Sequence, residues 1–298
     1  DSLHMMTALP RIDGVEDADD LAVGCRDLVD QVAQAWQGEP VAEVRMLPEQ
    51  LPWDTLPAIS YDGRDHRIPI GIDELELDTV FLNPDSDPHF VVFGGPETGK
   101  TTLLRSILHG ITTRYTPKEA KIVLLDYKRT LLGVVDTPHL LKYCASAAAA
   151  TPVIKDCAGA IKARLPGSDV TTQQLRDKSW WKGSQLFIVV DDYERVAVSS
   201  GNALQPLAEF VVDGNDVGLH IIIARGMGGA GRATFSDQII TRMKESMNPG
   251  LIMSGSRDEG QLLADVRPSK LPSGRGTLVT KEDKYLIQTA VMPPVELD

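Results

Sequence analysis

The segment from His89 to Leu108, HFVVFGGPETGKTTLLRSIL, constrains the fold of this 298-residue chain more than any other. An apolar run leads into a glycine-containing loop, and the residues after the loop repeat apolar side chains with helical spacing. The loop fits the pattern G-x-x-x-x-G-K-[ST] from Gly94 to Thr101. Such a loop requires a strand before it and a helix after it, because backbone N–H groups and the helix dipole together form a phosphate site. The segment therefore predicts a strand, a phosphate-binding loop (P-loop) and a helix in succession.

The P-loop residues are the first candidate site. Lys100 would reach the β- and γ-phosphates of a nucleotide, and the Thr101 hydroxyl would ligate Mg²⁺, so ATP and Mg²⁺ are the expected ligands. Glu97 is unusual here, because a carboxylate inside the loop would repel an anion. It either points outward, or lowers nucleotide affinity, or contacts a neighbouring subunit. The expected nucleotide-binding residues are Gly94, Gly95, Pro96, Glu97, Thr98, Gly99, Lys100, Thr101 and Thr102.

A second apolar run, Leu186–Val190, ends in two acidic residues. Asp191 is expected to be the second Mg²⁺ ligand and, with Lys100 and Asp192, a catalytic residue. Asp192 stands where related ATPases usually carry a water-activating glutamate, and its side chain is about 1.5 Å shorter along the same path. A misplacement of this size could lower the rate on the order of 100-fold. Alternatively, Asp192 is the N-cap of a following helix. Glu194 could take the place of the usual glutamate only if the strand-to-helix turn directs its side chain back toward the site.

The pattern from about Arg67 onward alternates strands with helices, which predicts an α/β fold with a mostly parallel central sheet and helices on both faces. The last two strands predict a hairpin at the edge of the sheet. The expected strands are 67–72, 79–82, 89–94, 121–126, 140–144, 186–191, 219–224, 251–254, 276–280 and 284–290. The expected helices are 100–114, 151–164, 171–178, 203–215, 234–246 and 258–264.

The N-terminal part of the chain has a different pattern. Residues 11–38 carry one amphipathic helix pattern, which ends near Gly38 and Pro40. The proline-rich stretch 40–57 predicts an extended connector with local hydrophobic anchors. We therefore predict an N-terminal helix and linker over residues 1–50 and one α/β domain over residues 51–298.

Composition limits the classes of partner. The chain has 42 acidic and 30 basic residues and a net charge of −12, so no nucleic acid is expected as a partner. Its three cysteines show no C-x-x-C spacing, which argues against a disulfide framework and suits a reducing cytoplasm. No apolar run reaches the roughly 18 residues that span a bilayer. Attachment to a membrane would therefore require a partner or a region outside this sequence.

Several segments together carry a family resemblance: the P-loop region, KIVLLDYKR, LFIVVDDYE, VGLHIIIARGMGGAGRA and SRDEGQLLADVRPSKLPSGRGTLV. They resemble the FtsK/SpoIIIE-type ATPases, in particular the EccC ATPases of type VII (ESX) secretion, over nearly all of residues 41–294. The resemblance implies a RecA-like P-loop NTPase fold and the C-terminal ATPase module of a longer chain. It also implies two kinds of partner: other ATPase modules of the secretion complex, and the C-terminal signal of WXG100-type substrates. The implied location is cytoplasmic, at the inner face of the plasma membrane through the secretion complex.

The sequence also departs from this family. Leu251 stands where family translocases often carry an arginine. If that arginine acts on the γ-phosphate of a neighbour, its absence lowers the rate by roughly 10³ or more. Arg225, Arg232 and Arg257 are possible replacements, or ordinary surface and salt-bridging residues. Three polar residues lie at the tip of the strand expected over 121–126: Asp126, Lys128 and Arg129. They either sense the nucleotide or are polar residues that end a buried strand.

Three hypotheses follow from these residues. The first is an ATP-binding module with a degenerate catalytic site, which hydrolyses ATP slowly and responds to a secretion substrate. The second is a competent DNA-translocating ATPase, which the acidic balance of the chain disfavours. The third is a non-catalytic binding module that nucleotide only stabilises.

Overall fold

The computed structural model describes residues 8–39, 41, 44–57 and 65–295. They fall into two compact units, Asp1–Arg45 and Met46–Asp298. The described residues of the first unit contain one helix, α1 (Leu21–Ala35), which lies within the predicted helical stretch. No helix of the described ranges is both long and apolar enough to cross a membrane.

The second unit alternates strands and helices. Its strands are β1 (Leu51–Pro52), β2 (Ile68–Asp73), β3 (Thr79–Leu82), β4 (His89–Gly94), β5 (Ala120–Leu125), β6 (Leu140–Cys144), β7 (Gln185–Val190), β8 (Ala197–Val198), β9 (Gly201–Asn202), β10 (Leu219–Gly226), β11 (Gly250–Met253), β12 (Arg275–Val279) and β13 (Lys284–Val291). Its helices are α2 (Lys100–Arg114), α3 (Ala147–Lys162), α4 (Thr172–Asp177), α5 (Gly214–Val217), α6 (Ala230–Ser236) and α7 (Gln238–Glu245).

The described residues of this unit form an eleven-stranded sheet in the order β3-β2-β13-β12-β11-β4-β10-β7-β5-β6, with β1 paired to β13. From β11 to β6 in this order, each strand is parallel to the next. From β11 to β3 the pairing is antiparallel. A separate ribbon joins β8 and β9. The predicted α/β architecture with a mostly parallel central sheet is confirmed.

Both faces of the sheet are covered. All six residues of β4 are buried, and its alternate side chains enter two different hydrophobic clusters. Val91 and Phe93 pack with residues of α3 and α7, whereas Phe90 and Val92 pack with α2. A strand buried on both faces lacks the polar alternation of a half-exposed strand, which is why residues 90–93 of β4 are all apolar. The predicted arrangement of helices on both faces is confirmed.

The predicted C-terminal hairpin exists but lies inside the sheet. Strands β12 and β13 pair antiparallel, as predicted. However, β13 also pairs with β2 along residues 71–73, and β3 forms the sheet edge at this end. This close pairing depends on Gly71, because a Cβ atom there would overlap the carbonyl oxygen of Gln288. The prediction that the hairpin lies at the sheet edge was therefore wrong, because a hairpin pattern does not reveal whether a further strand pairs with it.

Three predicted helices also differ from the structure. The helix predicted over 234–246 is divided at Asp237 into the end of α6 and the whole of α7. Residues 203–215 contain a 3₁₀ helix, Gln205–Phe210, and the start of the short α5, instead of one continuous helix. Residues 258–264 contain only the end of a 3₁₀ turn, Arg257–Glu259, because Gly260 adopts a φ of 77° that ends the helical path. The hydrophobic anchors of the connector are confirmed: Leu51 and Leu56 pack with Ala290.

Candidate functional site

The candidate site lies where parallel strands end. Strands β4, β10, β7 and β5 are neighbours in this order and run in the same direction. Their carboxyl ends therefore meet at one edge of the sheet, the usual ligand-binding edge of such folds. The P-loop follows β4, Asp191 follows β7, and Asp126 follows β5. The topology thus brings together three segments that are far apart in the sequence.

The P-loop is shaped by two glycines. A Cβ atom on Gly94 would lie 2.5 Å from Thr98 Oγ1, and Gly99 has a φ of 102°, which side chains other than glycine rarely adopt. From outside, Ser273 Oγ donates to Glu97 O at 3.0 Å, and Gly274 N donates to Thr98 O at 2.8 Å. These bonds hold two loop carbonyls away from the loop interior, as an anion site requires.

The Glu97 side chain is exposed. Its φ of 57° places this residue in the left-handed region at the outer turn of the loop. The geometry agrees with the outward-pointing alternative for this carboxylate. Glu97 therefore adds no carboxylate to the interior of the phosphate site.

The loop lysine points into the loop. Lys100 Nζ donates to Gly95 O at 2.6 Å. Burial lowers the pKa of Lys100 below its ordinary value, and nearby carboxylates, of which Asp191 contributes most, oppose this shift. The loop thus holds a partly desolvated ammonium group whose attraction to a phosphate is strengthened by the low local dielectric.

The residues predicted to hold Mg²⁺ are in direct contact. Thr101 Oγ1 donates to Asp191 Oδ2 at 2.7 Å. Burial raises the pKa of the Asp191 carboxyl, and hydrogen bonds from Thr101 and Thr130 oppose that shift. Within the described ranges, no group of three or more His, Cys, Asp or Glu residues could hold a metal by itself. One hydroxyl and one carboxylate fit Mg²⁺, which is usually shared between a few protein oxygens and the phosphates of its ligand.

Asp192 makes a contact that the sequence did not indicate. Its backbone is left-handed, with a φ of 48°, and its carboxylate pairs with Lys128 Nζ at 2.7 Å. Asp192 precedes the 3₁₀ helix Tyr193–Arg195, but its side chain makes no capping hydrogen bond. The alternative role as a side-chain N-cap is therefore wrong. The catalytic role of Asp192 remains a prediction.

Glu194 is turned back toward the sheet. Its Oε2 accepts a hydrogen bond from Gly226 N at 2.8 Å. Gly226 ends β10 and lies opposite Gly94 in the register of β10 and β4. The carboxylate of Glu194 is therefore held near the start of the P-loop by a backbone N–H group.

The candidate arginines have different surroundings. Arg225 is buried and donates to three backbone carbonyls within its own loop, those of Gly226, Gly228 and Gly229. Arg232 and Arg257 are exposed. Leu251 is fully buried in β11, beside β4. Arg225 therefore holds a loop, and a role of an arginine in a neighbouring site remains a prediction for the two exposed residues.

Sequence reasoning missed Thr130. Its Oγ1 donates to Asp191 Oδ2 at 3.0 Å, so this oxygen is shared with Thr101. Asp126 holds Thr130 in place by accepting from its backbone N–H at 3.1 Å, and from Leu131 N at 2.7 Å. The only available signal was the run of polar residues after β5, which does not show which of them turns back to the next strand.

A cavity of about 520 Å³ adjoins the P-loop. Its lining includes Gly99 of the loop, Thr102 of α2, Gly274 beside the loop, Gln50 and Thr289. The volume falls in the range of pockets that hold small ligands. A nucleotide bound by the loop would thus have room for its nucleoside on the side of Thr102.

Comparisons with known proteins agree with this geometry. The sequence model of the FtsK/SpoIIIE family matches residues 62–166. The ESX secretion system protein EccC of Thermomonospora curvata is 52% identical over 97% of this chain. The ESX-4 secretion system protein EccC4 of Mycobacterium tuberculosis is 36% identical over 99% of it. The chain spans 22% and 23%, respectively, of the length of these two relatives.

Solved structures show the same similarity. The cytoplasmic domain of the Thermomonospora curvata type VII secretion ATPase EccC has a TM-score of 0.86 and 51% identity, covering 97% of this chain and 33% of that one. ATPases 2 and 3 of the same EccC, in complex with a signal sequence peptide, also match with a TM-score of 0.86 and 51% identity, covering 97% of this chain and 51% of that one. The chain therefore contains an FtsK/SpoIIIE family domain over residues 62–166 and has the RecA-like P-loop fold of the EccC ATPase domains, to which it is 51% identical.

Proposed function

We propose that this chain is a nucleotide-binding module of an ESX secretion ATPase that binds ATP with Mg²⁺ and hydrolyses it slowly. The contact between Thr101 Oγ1 and Asp191 Oδ2 carries this proposal. It joins the hydroxyl that follows the loop lysine to the acid at the end of a second buried strand. P-loop NTPases use this pair of side chains to hold Mg²⁺.

The site residues then have separate roles. Lys100 binds the β- and γ-phosphates, and Thr101 and Asp191 hold the metal. Mg²⁺, when bound, neutralises charge that develops on the phosphate oxygens. Asp192 is the residue that orients the attacking water, and the cavity beside Thr102 receives the nucleoside.

Slow hydrolysis follows from two properties of the site. Asp192 is one methylene shorter than the usual glutamate, so its carboxylate stops about 1.5 Å short along the same path. Leu251 is an apolar side chain where family translocases often carry an arginine, and a trans-acting arginine contributes roughly 10³ or more to the rate in related NTPases. Both properties affect the chemical step more than the binding of nucleotide.

We further propose that the module responds to the C-terminal signal of a WXG100-type substrate and works beside other ATPase modules, at the cytoplasmic face of the membrane. The signal peptide bound to ATPases 2 and 3 of Thermomonospora curvata EccC supports a peptide partner of this class. The 51% identity to that protein over 97% of this chain supports a similar role here.

Substitution Asp192→Glu tests the reason for slow hydrolysis. We expect turnover of Mg·ATP to rise at least about tenfold, because the longer side chain reaches about 1.5 Å further toward the attacking water. Steady-state phosphate release measures this, with Asp192→Asn as the matched control that should lower turnover. A wild-type rate of tens per second that Asp192→Asn abolishes would contradict slow hydrolysis. No turnover in any of the three proteins would favour the non-catalytic binding module.

Calorimetric titration tests the two ligands separately. We expect Mg·ATP and a peptide of a WXG100-type C-terminal signal each to bind the isolated chain. A scrambled peptide of the same composition is the control and should release no heat of binding. Tight binding of Mg·ATP without binding of the signal peptide would exclude the role in signal recognition and leave the nucleotide site unaffected.

A further inference from the structure

Lys128 lies in a segment that contacts two acids of the nucleotide site, Asp191 and Asp192. This segment, residues 126–131, follows β5 and reaches across to the end of β7. Lys128 Nζ is 2.7 Å from Asp192 Oδ2, and Thr130 Oγ1 donates to Asp191 Oδ2 at 3.0 Å. Since Asp191 Oδ2 also accepts from Thr101, the segment is joined to the P-loop through one shared oxygen.

The backbone of the segment is anchored, whereas the lysine side chain has freedom to move. Asp126 accepts from Thr130 N at 3.1 Å, from Leu131 N at 2.7 Å and from Tyr143 Oη at 2.8 Å. Leu131 is fully buried in the core. In contrast, the side chain of Lys128 is 43% exposed. The ammonium group can therefore change its partner without any change in the fold of the segment.

Charge at the site favours such a change. Three carboxylates, of Asp191, Asp192 and Glu194, surround the P-loop, and the charge of Lys128 is close enough to act on Lys100. A nucleoside triphosphate brings a terminal phosphate to the side of the loop where these acids lie. The phosphate offers Lys128 a charge-assisted hydrogen bond at least as strong as the one to a carboxylate. A diphosphate lacks that terminal group.

We propose that Lys128 selects a nucleoside triphosphate over a diphosphate by exchanging the Asp192 carboxylate for the terminal phosphate. The same exchange releases Asp192, so that this carboxylate can orient the attacking water only when the triphosphate is bound. Lys128 is thus a second phosphate-binding lysine. Before the triphosphate binds, its ion pair with Asp192 keeps this carboxylate from orienting a water molecule. This inference rests on the proposed binding of Mg·ATP at the P-loop.

A purely structural ion pair predicts a different behaviour. Partly exposed salt bridges contribute little to stability. If the pair between Lys128 and Asp192 only braced the segment, removing Lys128 would change the affinities for triphosphate and diphosphate by the same factor. The ratio of the two affinities therefore separates the two cases.

Calorimetry with Mg·ADP and with a non-hydrolysable Mg·ATP analogue provides the test. For Lys128→Met we expect the triphosphate to bind about 10- to 30-fold more weakly, as for loss of one charge-assisted hydrogen bond, and the diphosphate to change less than about threefold. Lys128→Arg keeps the charge and should stay near wild type. Lys118→Met, at an exposed lysine, is the control that should change neither affinity.

The Asp192→Asn variant should change the affinity for the triphosphate in the opposite direction from Lys128→Met. We expect it to bind the triphosphate more tightly, since Lys128 no longer has a carboxylate to leave. In the Asp192→Asn background, Lys128→Met should also cost more triphosphate affinity than in the wild type. Equal losses of both nucleotides in Lys128→Met, or weaker triphosphate binding by Asp192→Asn, would overturn the inference. Failure of the wild type to bind either nucleotide would instead contradict the proposed function itself.

Discussion

Replacing Lys100 with methionine is expected to weaken the binding of Mg·ATP about 100-fold, the effect of removing a charge-assisted hydrogen bond from a partly desolvated site. The ammonium group lies in the P-loop, where Lys100 Nζ donates to Gly95 O at 2.6 Å. Methionine keeps an unbranched stem of similar length but has no charge. The side chain therefore still fills its place in the loop, and the loss isolates the contact with phosphate.

The same substitution should not destabilise the protein without nucleotide. Burial lowers the pKa of Lys100, which means that the folded loop disfavours the charged form of this side chain. Thermal unfolding of Lys100→Met should thus occur at or above the wild-type temperature. Addition of Mg·ATP at one fixed concentration should raise the unfolding temperature of the wild type and of the control Lys118→Met more than that of Lys100→Met. An unchanged affinity of Lys100→Met for Mg·ATP would exclude the P-loop as the nucleotide site.

Acid is expected to destabilise the fold through His89, at the start of β4. Ile221 N donates to His89 Nδ1 at 3.0 Å, and His89 Nε2 donates to Val211 O at 2.8 Å. This pattern needs a neutral ring with its proton on Nε2, because a second proton on Nδ1 would face the N–H group of Ile221. Burial lowers the pKa of His89 from 6.5 to about 4.

The sign of the effect follows from proton uptake. Above pH 6.5 both the folded and the unfolded states carry a neutral His89, so its contribution to stability is constant. Below pH 6.5 the unfolded state gains a proton first, and the free energy of unfolding falls by about 1.4 kcal/mol per pH unit. The loss reaches roughly 3 kcal/mol near pH 4. His220, whose pKa burial lowers to about 3, acts in the same direction.

Urea unfolding at pH 7.5, 6 and 5 measures this dependence. Substitution His89→Gln retains a donor toward Val211 O but cannot titrate, so its stability should fall less steeply with acid than that of the wild type. A titration of the His89 ring by NMR in the folded protein gives an independent reading of the same pKa. Equal pH dependence in both proteins, or a His89 pKa near 6.5, would show that burial of this ring does not couple folding to acid.

Short-range patterns predicted much of the fold and part of the site. The residues from 100 to 114 were expected to be helical, and α2 has these bounds. The two apolar runs that precede the P-loop and Asp191 became β4 and β7. Such segments are predictable because their chemistry is local: glycines, a helix start and a continuous apolar strand lie within about twenty residues.

Long-range pairing was the less predictable part. Pattern alone placed the hairpin of β12 and β13 at the sheet edge, but β2 and β3 extend the sheet beyond it. The helix expected over 258–264 did not form, because Gly260 turns the chain and Leu263 pairs instead with Val266. Both errors concern partners that lie elsewhere in the chain or in a turn, where periodicity carries no information.

Local sequence patterns were sufficient to predict a phosphate-binding loop between a buried strand and a helix, and an acid at the end of a second buried strand. They were sufficient because backbone freedom at glycine, hydrophobic periodicity and charge type are properties of neighbouring residues. In contrast, two contacts became visible only in the folded chain: Thr130 shares an oxygen of Asp191 with Thr101, and Lys128 pairs with Asp192. These contacts arise because β5 and β7 are parallel neighbours whose carboxyl ends meet, and that order is set by the packing of the whole sheet.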